Sequence, residues 1–182
     1  MSDHPPQPAT DRITPFAGHP LVVGVEERVP EVLVRTAVSL AQATGAAKLY
    51  FAYADPARSV IEELSDGTVL HASLSPDALD DTWIARAADL TGRLGESLSE
   101  AGVAWEFRYL AGRPDRALTH LARAVDAAAI VVGGRAPGAG ARLIEAVTGS
   151  VAVHLAHHQH RPVLTVPISV IDWHDTPSAW DQ

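Results

Sequence analysis

The segment Ala128-Ala129-Ile130-Val131-Val132 runs straight into Gly133-Gly134-Arg135-Ala136-Pro137-Gly138-Ala139-Gly140, and the architecture follows from that junction. The first five residues are apolar without alternation. A strand of that kind has no face to give to water, so it belongs to a sheet with helices on both sides, the usual setting of parallel strands. The glycines that follow mark the turn leaving the strand's carboxyl end.

Working outward, the same grammar repeats. Upstream, Pro114 opens a helix that buries Leu118, Leu121, Ala122 and Val125, and Val103 to Leu110 alternates as a strand nearer an edge does. Before it, a helix capped by Ser75, with Pro76 and Asp77 in its first turn and Gly102 at its end, carries the stripe Leu79, Trp83, Ala87, Leu90, Leu94 and Leu98. Gly92 and Gly95 inside it each cost about 1 kcal/mol relative to alanine, so a close helix or sheet contact is the expected compensation. Lys48 to Ala54 and Leu21 to Val25 are further strands. Between them Pro30 starts a helix with Leu33, Ala37, Leu40, Ala41 and Thr44 on one face, and Gly45 stops it. Downstream, a helix follows Ser150 towards His160, and Val163 to Val166 is the last strand. That alternation of five strands with four main helices defines an α/β fold with an open parallel sheet between two helical layers. Asp55 to Leu74 leaves two readings, a hairpin turning at Asp66-Gly67 or an irregular excursion.

Composition bounds the function. The 182 residues are 47% hydrophobic and 20% charged, with 14 Lys plus Arg against 22 Asp plus Glu, a net charge of −8. That describes one globular domain large enough to hold its core without a metal or a disulfide. No cysteine is present, which excludes disulfides, thiolate metal sites and thiol catalysis, and the cytoplasm is the expected compartment. Acidic balance disfavours nucleic acid, and the longest apolar runs are far short of the ~20 residues of a membrane span. Residues 1–17, rich in proline, read as a disordered tail, 18–168 as the domain, and 169–182 as an extension whose Trp173 and Trp180 are expected to pack on the domain or on a second subunit.

In an open parallel sheet, ligands bind at the carboxyl ends of the strands where the winding reverses. If the fourth core strand lies beside the first, two loops meet there: Glu26-Glu27-Arg28-Val29, and the glycine-rich stretch from Gly133 to Gly140. Gly133, Gly134, Gly138 and Gly140 allow backbone amides to turn inward, and Arg135 and Arg142 supply cations. Gly149-Ser150 opens a helix, whose first amides favour an anion. The alternative is a flexible connection followed by an ordinary serine cap. Neither a P-loop nor a dinucleotide fingerprint is complete, since Ala141-Arg142 follows Gly140 and Leu143 stands where a third glycine belongs.

These motifs, in this order over Leu21 to Pro167, resemble the universal stress protein family. Leu21-Val22-Val23-Gly24-Val25-Glu26 is similar to its first strand, which usually ends in Asp-Gly-Ser, and Gly112-Arg113-Pro114 to its Gly-x-Pro helix entry. Asp126 to Gly133 resembles its fourth strand, and Gly149-Ser150-Val151-Ala152 with Arg161-Pro162-Val163-Leu164-Thr165-Val166 its last helix and strand. The resemblance implies strand order 3-2-1-4-5, and a homodimer through the edge strand Val163 to Val166. It also implies, in the nucleotide-binding members, a cleft for ATP or AMP, with magnesium beside ATP. In those members Gly-x-x-Gly, nine residues and Gly-Ser or Gly-Thr surround the phosphates. Here Gly133, Gly149 and Ser150 match, Ala136 replaces the second glycine, and twelve residues separate it from Gly149. Gly138 or Gly140 therefore stands in for the missing glycine, or the site is lost.

The expected cofactor-binding set is Glu26, Gly133, Arg135, Gly138, Gly140, Arg142, Gly149 and Ser150, with no catalytic or metal-binding residues. His154, His157, His158 and His160 have helical metal-ligand spacing, but a solvated helix end explains them as well. The function implied is a non-catalytic stress-response regulator. The alternatives are a nucleotide-independent dimeric interaction module, and a hydrolase or nucleotidyl transferase on a similar sheet.

Overall fold

A computed structural model describes residues 10–75, 81–134 and 151–169. Its main sheet contains β1 (Leu21–Val25), β2 (Leu49–Asp55), β5 (Trp105–Ala111), β6 (Ala129–Gly134) and β7 (Val163–Pro167). All neighbours are parallel and run in the order β5-β2-β1-β6-β7. Counted over these five strands alone, that is 3-2-1-4-5, the order the family resemblance implied.

Strand parity assigns the two faces. On β1, Leu21, Val23 and Val25 join one core with Leu33, Ala37 and Ala41 of α1 (Glu31–Thr44) and Leu94 and Leu98 of α2 (Thr82–Leu98). Val22 points the other way, into a core with Leu118 and Leu121 of α3 (Pro114–Ala124) and Leu155 of α4 (Val151–His158). Successive residues of a strand face opposite sides, so bare apolar strands are what a doubly covered sheet requires. Gly45 ends α1 at φ 62°, and its amide reaches back to Ala41 and Gln42 carbonyls. No described helix is long and apolar enough to cross a membrane.

The stretch after β2 is a hairpin, β3 (Arg58–Glu63) paired antiparallel with β4 (Val69–Ser73). Asp66 holds its turn by accepting from the Thr68 amide and hydroxyl, both at 2.9 Å. Gly67, at φ +83°, packs so closely on α3 that an added Cβ would lie 2.6 Å from Leu121 Cδ1. Arg108 of β5 donates to Thr68 Oγ1 at 2.5 Å and pairs with Glu106 at 2.8 Å. The Arg108–Thr68 bond thereby ties the hairpin to β5, the edge strand of the main sheet.

Two expectations are corrected. Ser75 does not cap the second helix: the Leu74 amide is still bonded to the Ala57 carbonyl, closing the hairpin, and the Ser75 amide donates to Ser73 Oγ. The described helix starts at Thr82, and Pro76, Asp77 and Leu79 lie outside the described residues. The glycines of α2 make no close approach either: nothing lies within 4 Å of a Cβ built at Gly92, and Trp105 at 3.8 Å is ordinary contact for Gly95.

Candidate functional site

The winding reverses between β1 and β6. Register pairs Gly24 with Val132, so the two strands end together and their exit loops share one rim. A cleft of about 730 Å³ opens there. Its floor is apolar, from Leu33, Leu118 and Val132, and its mouth carries Glu26, Glu27, Arg28 and Tyr53. Gly24 keeps the floor low, since a Cβ at that position would lie 2.9 Å from Leu118 Cδ1 and 3.1 Å from Val132 Cγ1.

The sequence-predicted residues divide. Glu26 and Gly133 are brought together as walls of the cleft, and Val151, the residue after Ser150, lines it too. Arg135, Gly138, Gly140, Arg142, Gly149 and Ser150 lie outside the described residues. The space above Gly133 is taken by Ile168, whose Cδ1 would be 3.1 Å from an added Cβ. Lack of a side chain at Gly133 therefore seats Ile168, itself part of the cleft wall, rather than only freeing backbone amides.

Glu27 lies in the rim loop the sequence pointed to, whereas Tyr53 and the groups behind it were not anticipated. Arg86 of α2 pairs with Glu27, Nε to Oε1 at 3.1 Å, and donates from Nη1 to Asp55 Oδ2 at 2.9 Å. Its guanidinium lies 5.8 Å from the Tyr53 ring centroid. Tyr109 donates to Asp55 Oδ2 at 2.6 Å and accepts from Arg86 at 3.1 Å. Burial and the hydrogen bond to Asp55 push the Tyr109 phenol up to about 12. Burial likewise raises Tyr53, with Arg86 opposing and Asp55 and Glu27 assisting. Both rings are thus neutral phenols at physiological pH. The Tyr109 ring also touches His71 and Trp83, 5.5 Å between centroids in each case, which ties the rim to the hairpin. The one available signal was parity: Tyr53 follows Phe51 by two residues and sits at a strand's carboxyl end, where a side chain leaves the core for the rim.

Chemically, the cleft supplies carboxylate and phenol groups at its mouth, an apolar slot below, and no Ser, Thr, Cys, His or Lys side chain among the described lining residues. Such a lining can bind and orient a flat, partly polar molecule. Of the histidines, His154 and His158 stack at 5.6 Å on α4, and no group of three or more His, Asp or Glu able to hold a metal ion occurs among the described residues.

An open parallel sheet covered by helices on both faces, with a ligand-sized cleft at its switch point, defines a doubly wound α/β protein. Residues 19–167 match the profile of the universal stress protein family, and the chain belongs to that family. Among similar solved structures is a universal stress protein in complex with cAMP, 25% identical, with a TM-score of 0.54, the match covering 84% of this chain and 99% of that one. Another, from Archaeoglobus fulgidus in complex with dAMP, is 22% identical, with a TM-score of 0.55 and coverage of 81% and 96%. A third, UspA from Lactobacillus plantarum, is 17% identical, with a TM-score of 0.57 and coverage of 82% and 98%. No curated protein sequence matches the chain.

Proposed function

We propose that this protein is a non-catalytic regulator that binds an adenine nucleotide, AMP or ATP, in the cleft at the carboxyl ends of β1 and β6. The observation that carries this reading is the joining of Glu26 and Gly133 across one cleft of about 730 Å³, within the range of small-molecule sites. Support comes from the cAMP complex of the 25% identical relative and from the dAMP complex of the Archaeoglobus fulgidus protein. In this reading the base enters the apolar slot beside Tyr53, and Glu26 accepts from its amine or from a ribose hydroxyl. The amides following Gly133, including those at Gly138 and Gly140, wrap the phosphates with Gly149 and Ser150, and Arg135 or Arg142 neutralises them. Magnesium accompanies the triphosphate when ATP is bound. Occupancy acts by favouring one loop or dimer arrangement over another, which changes what the protein contacts in the cytoplasm.

The dimer belongs to the same proposal. β7 is an edge strand whose Leu164 is 38% exposed, and Val32 of α1, 47% exposed, lies in the same shallow groove. A second copy pairing along Val163 to Val166 would cover both. A nucleotide-independent dimer is the second reading, and this edge is what favours it.

Calorimetric titration with AMP and with ATP, with and without magnesium, separates the two. Saturable one-to-one binding, weakened about tenfold or more by Glu26→Ala or Ser150→Ala, supports the nucleotide reading, since each substitution removes a hydrogen-bonding group. Absence of heat with every adenine nucleotide, from a folded dimer, supports the second.

A further inference from the structure

Another concavity, of about 530 Å³ and sharing no lining residue with the cleft, runs between α3, α4 and the end of β3. Its walls are unusual for an acidic protein. Arg35, Arg86, Arg93, Arg108, Arg113 and Arg161 each pair with a carboxylate. Arg116 and Arg123 line the concavity, and neither pairs with a carboxylate among the described residues. They lie seven residues apart on α3, on one face with His120.

The remaining charges in the concavity are settled among themselves. Arg113 holds Asp115 in a fork, Nε to Oδ1 at 3.1 Å and Nη2 to Oδ2 at 2.9 Å. Burial works against the Asp115 charge, but that fork holds its carboxyl below the ordinary value. His120 Nδ1 lies 3.0 Å from Glu63 Oε2, while its Nε2 is buried without a hydrogen-bond partner among the described residues. On α4, His158 Nδ1 lies 2.9 Å from the His154 carbonyl, so Nδ1 carries the proton and donates. A proton added to His158 must then go to Nε2, turning an acceptor into a donor.

With Asp115 and Glu63 engaged, two guanidinium groups face the space, joined by the imidazolium groups of His154 and His158 when these charge. We propose that this groove is a second binding site, for a phosphoryl anion of about pyrophosphate size, held by Arg116 and Arg123 and gripped more tightly as His154 and His158 become protonated. A bound anion favours imidazolium, so by linkage lower pH strengthens binding. The inference stands independently of the nucleotide cleft.

Two titrations of the full chain, followed by amide NMR shifts, test it. Pyrophosphate is expected to shift the Arg116, His120, Arg123 and His158 amides saturably, and Arg116→Ala with Arg123→Ala is expected to weaken that binding about tenfold or more. Inorganic sulfate, whose own charge is constant between about pH 6 and 8, is expected to bind more tightly at the lower value, and His154→Gln with His158→Gln to flatten the difference. The arginines and His158 are exposed, so these variants are expected to retain the fold. No saturable shift at those amides, binding unchanged without the two arginines, or sulfate affinity equal at both pH values would overturn the proposal.

Discussion

Replacing Asp55 by alanine tests how the cleft rim is held. Asp55 is 5% exposed at the carboxyl end of β2. Its Oδ1 accepts from the Ala57 amide at 2.9 Å, and its Oδ2 from Tyr109 at 2.6 Å and Arg86 at 2.9 Å. Alanine deletes all three. Removing one member of a fully buried ion pair costs about 3–5 kcal/mol, and a hydrogen bond to a charged group contributes about 1.5–3 kcal/mol. Arg86 softens the loss because it is 34% exposed and keeps Glu27 at 3.1 Å. Tyr109 keeps its bond from Arg86. The expected destabilisation is therefore about 2–4 kcal/mol, toward the lower end of the buried-pair range.

Urea unfolding at neutral pH reads this directly as a lowered midpoint at constant slope. A double-mutant cycle with Tyr109→Phe should give a coupling of about 0.5 kcal/mol or more, because both substitutions remove the same bond. A loss below about 1 kcal/mol, or strict additivity with Tyr109→Phe, would show that Asp55 does not hold the rim as described.

Other expectations concern glycines and pH. Gly67→Ala should destabilise by about 2–4 kcal/mol in urea unfolding, combining left-handed backbone cost with overpacking on Leu121, while Gly102→Ala, at φ +63° with nothing within 4 Å, should show only the backbone cost of about 1–2 kcal/mol. Gly92→Ala, at an open site inside α2, should stabilise by about 0.5–1 kcal/mol in the same assay. Tyr109 has a folded-state value raised from 10.0 to about 12, so the folded chain holds its proton longer than the unfolded chain does. The stability this contributes is complete below pH 10 and is lost as pH rises towards 12, and Tyr109→Phe should remove that part of the loss in alkaline unfolding curves.

The sheet was legible because its strands are apolar on both faces. Leu21–Val25 and Ala129–Gly134 announce a covered sheet, and the family's strand order follows once those strands are neighbours. The hairpin was half legible: Asp66-Gly67 marks a turn, but whether the flanking strands form depends on contacts with Leu121 and Arg108 that no local pattern encodes. The rim network was hidden for the same reason. Asp55, Arg86 and Tyr109 sit on three separate elements, and their pairing exists only after the sheet has aligned β2 with β5. That Glu26 and Gly133 line the cleft could be read from their places at the carboxyl ends of β1 and β6, whereas Tyr53 reads as one more core residue of β2.

The most direct test of the cleft is amide chemical-shift mapping of the full chain with AMP. The account predicts saturable shifts that are largest at Gly24 to Arg28, at Tyr53, and at Val132 and Gly133, with Val151 and Ile168 responding as cleft walls. Saturating AMP that leaves the amides from Gly24 to Arg28 and at Gly133 unmoved would contradict it.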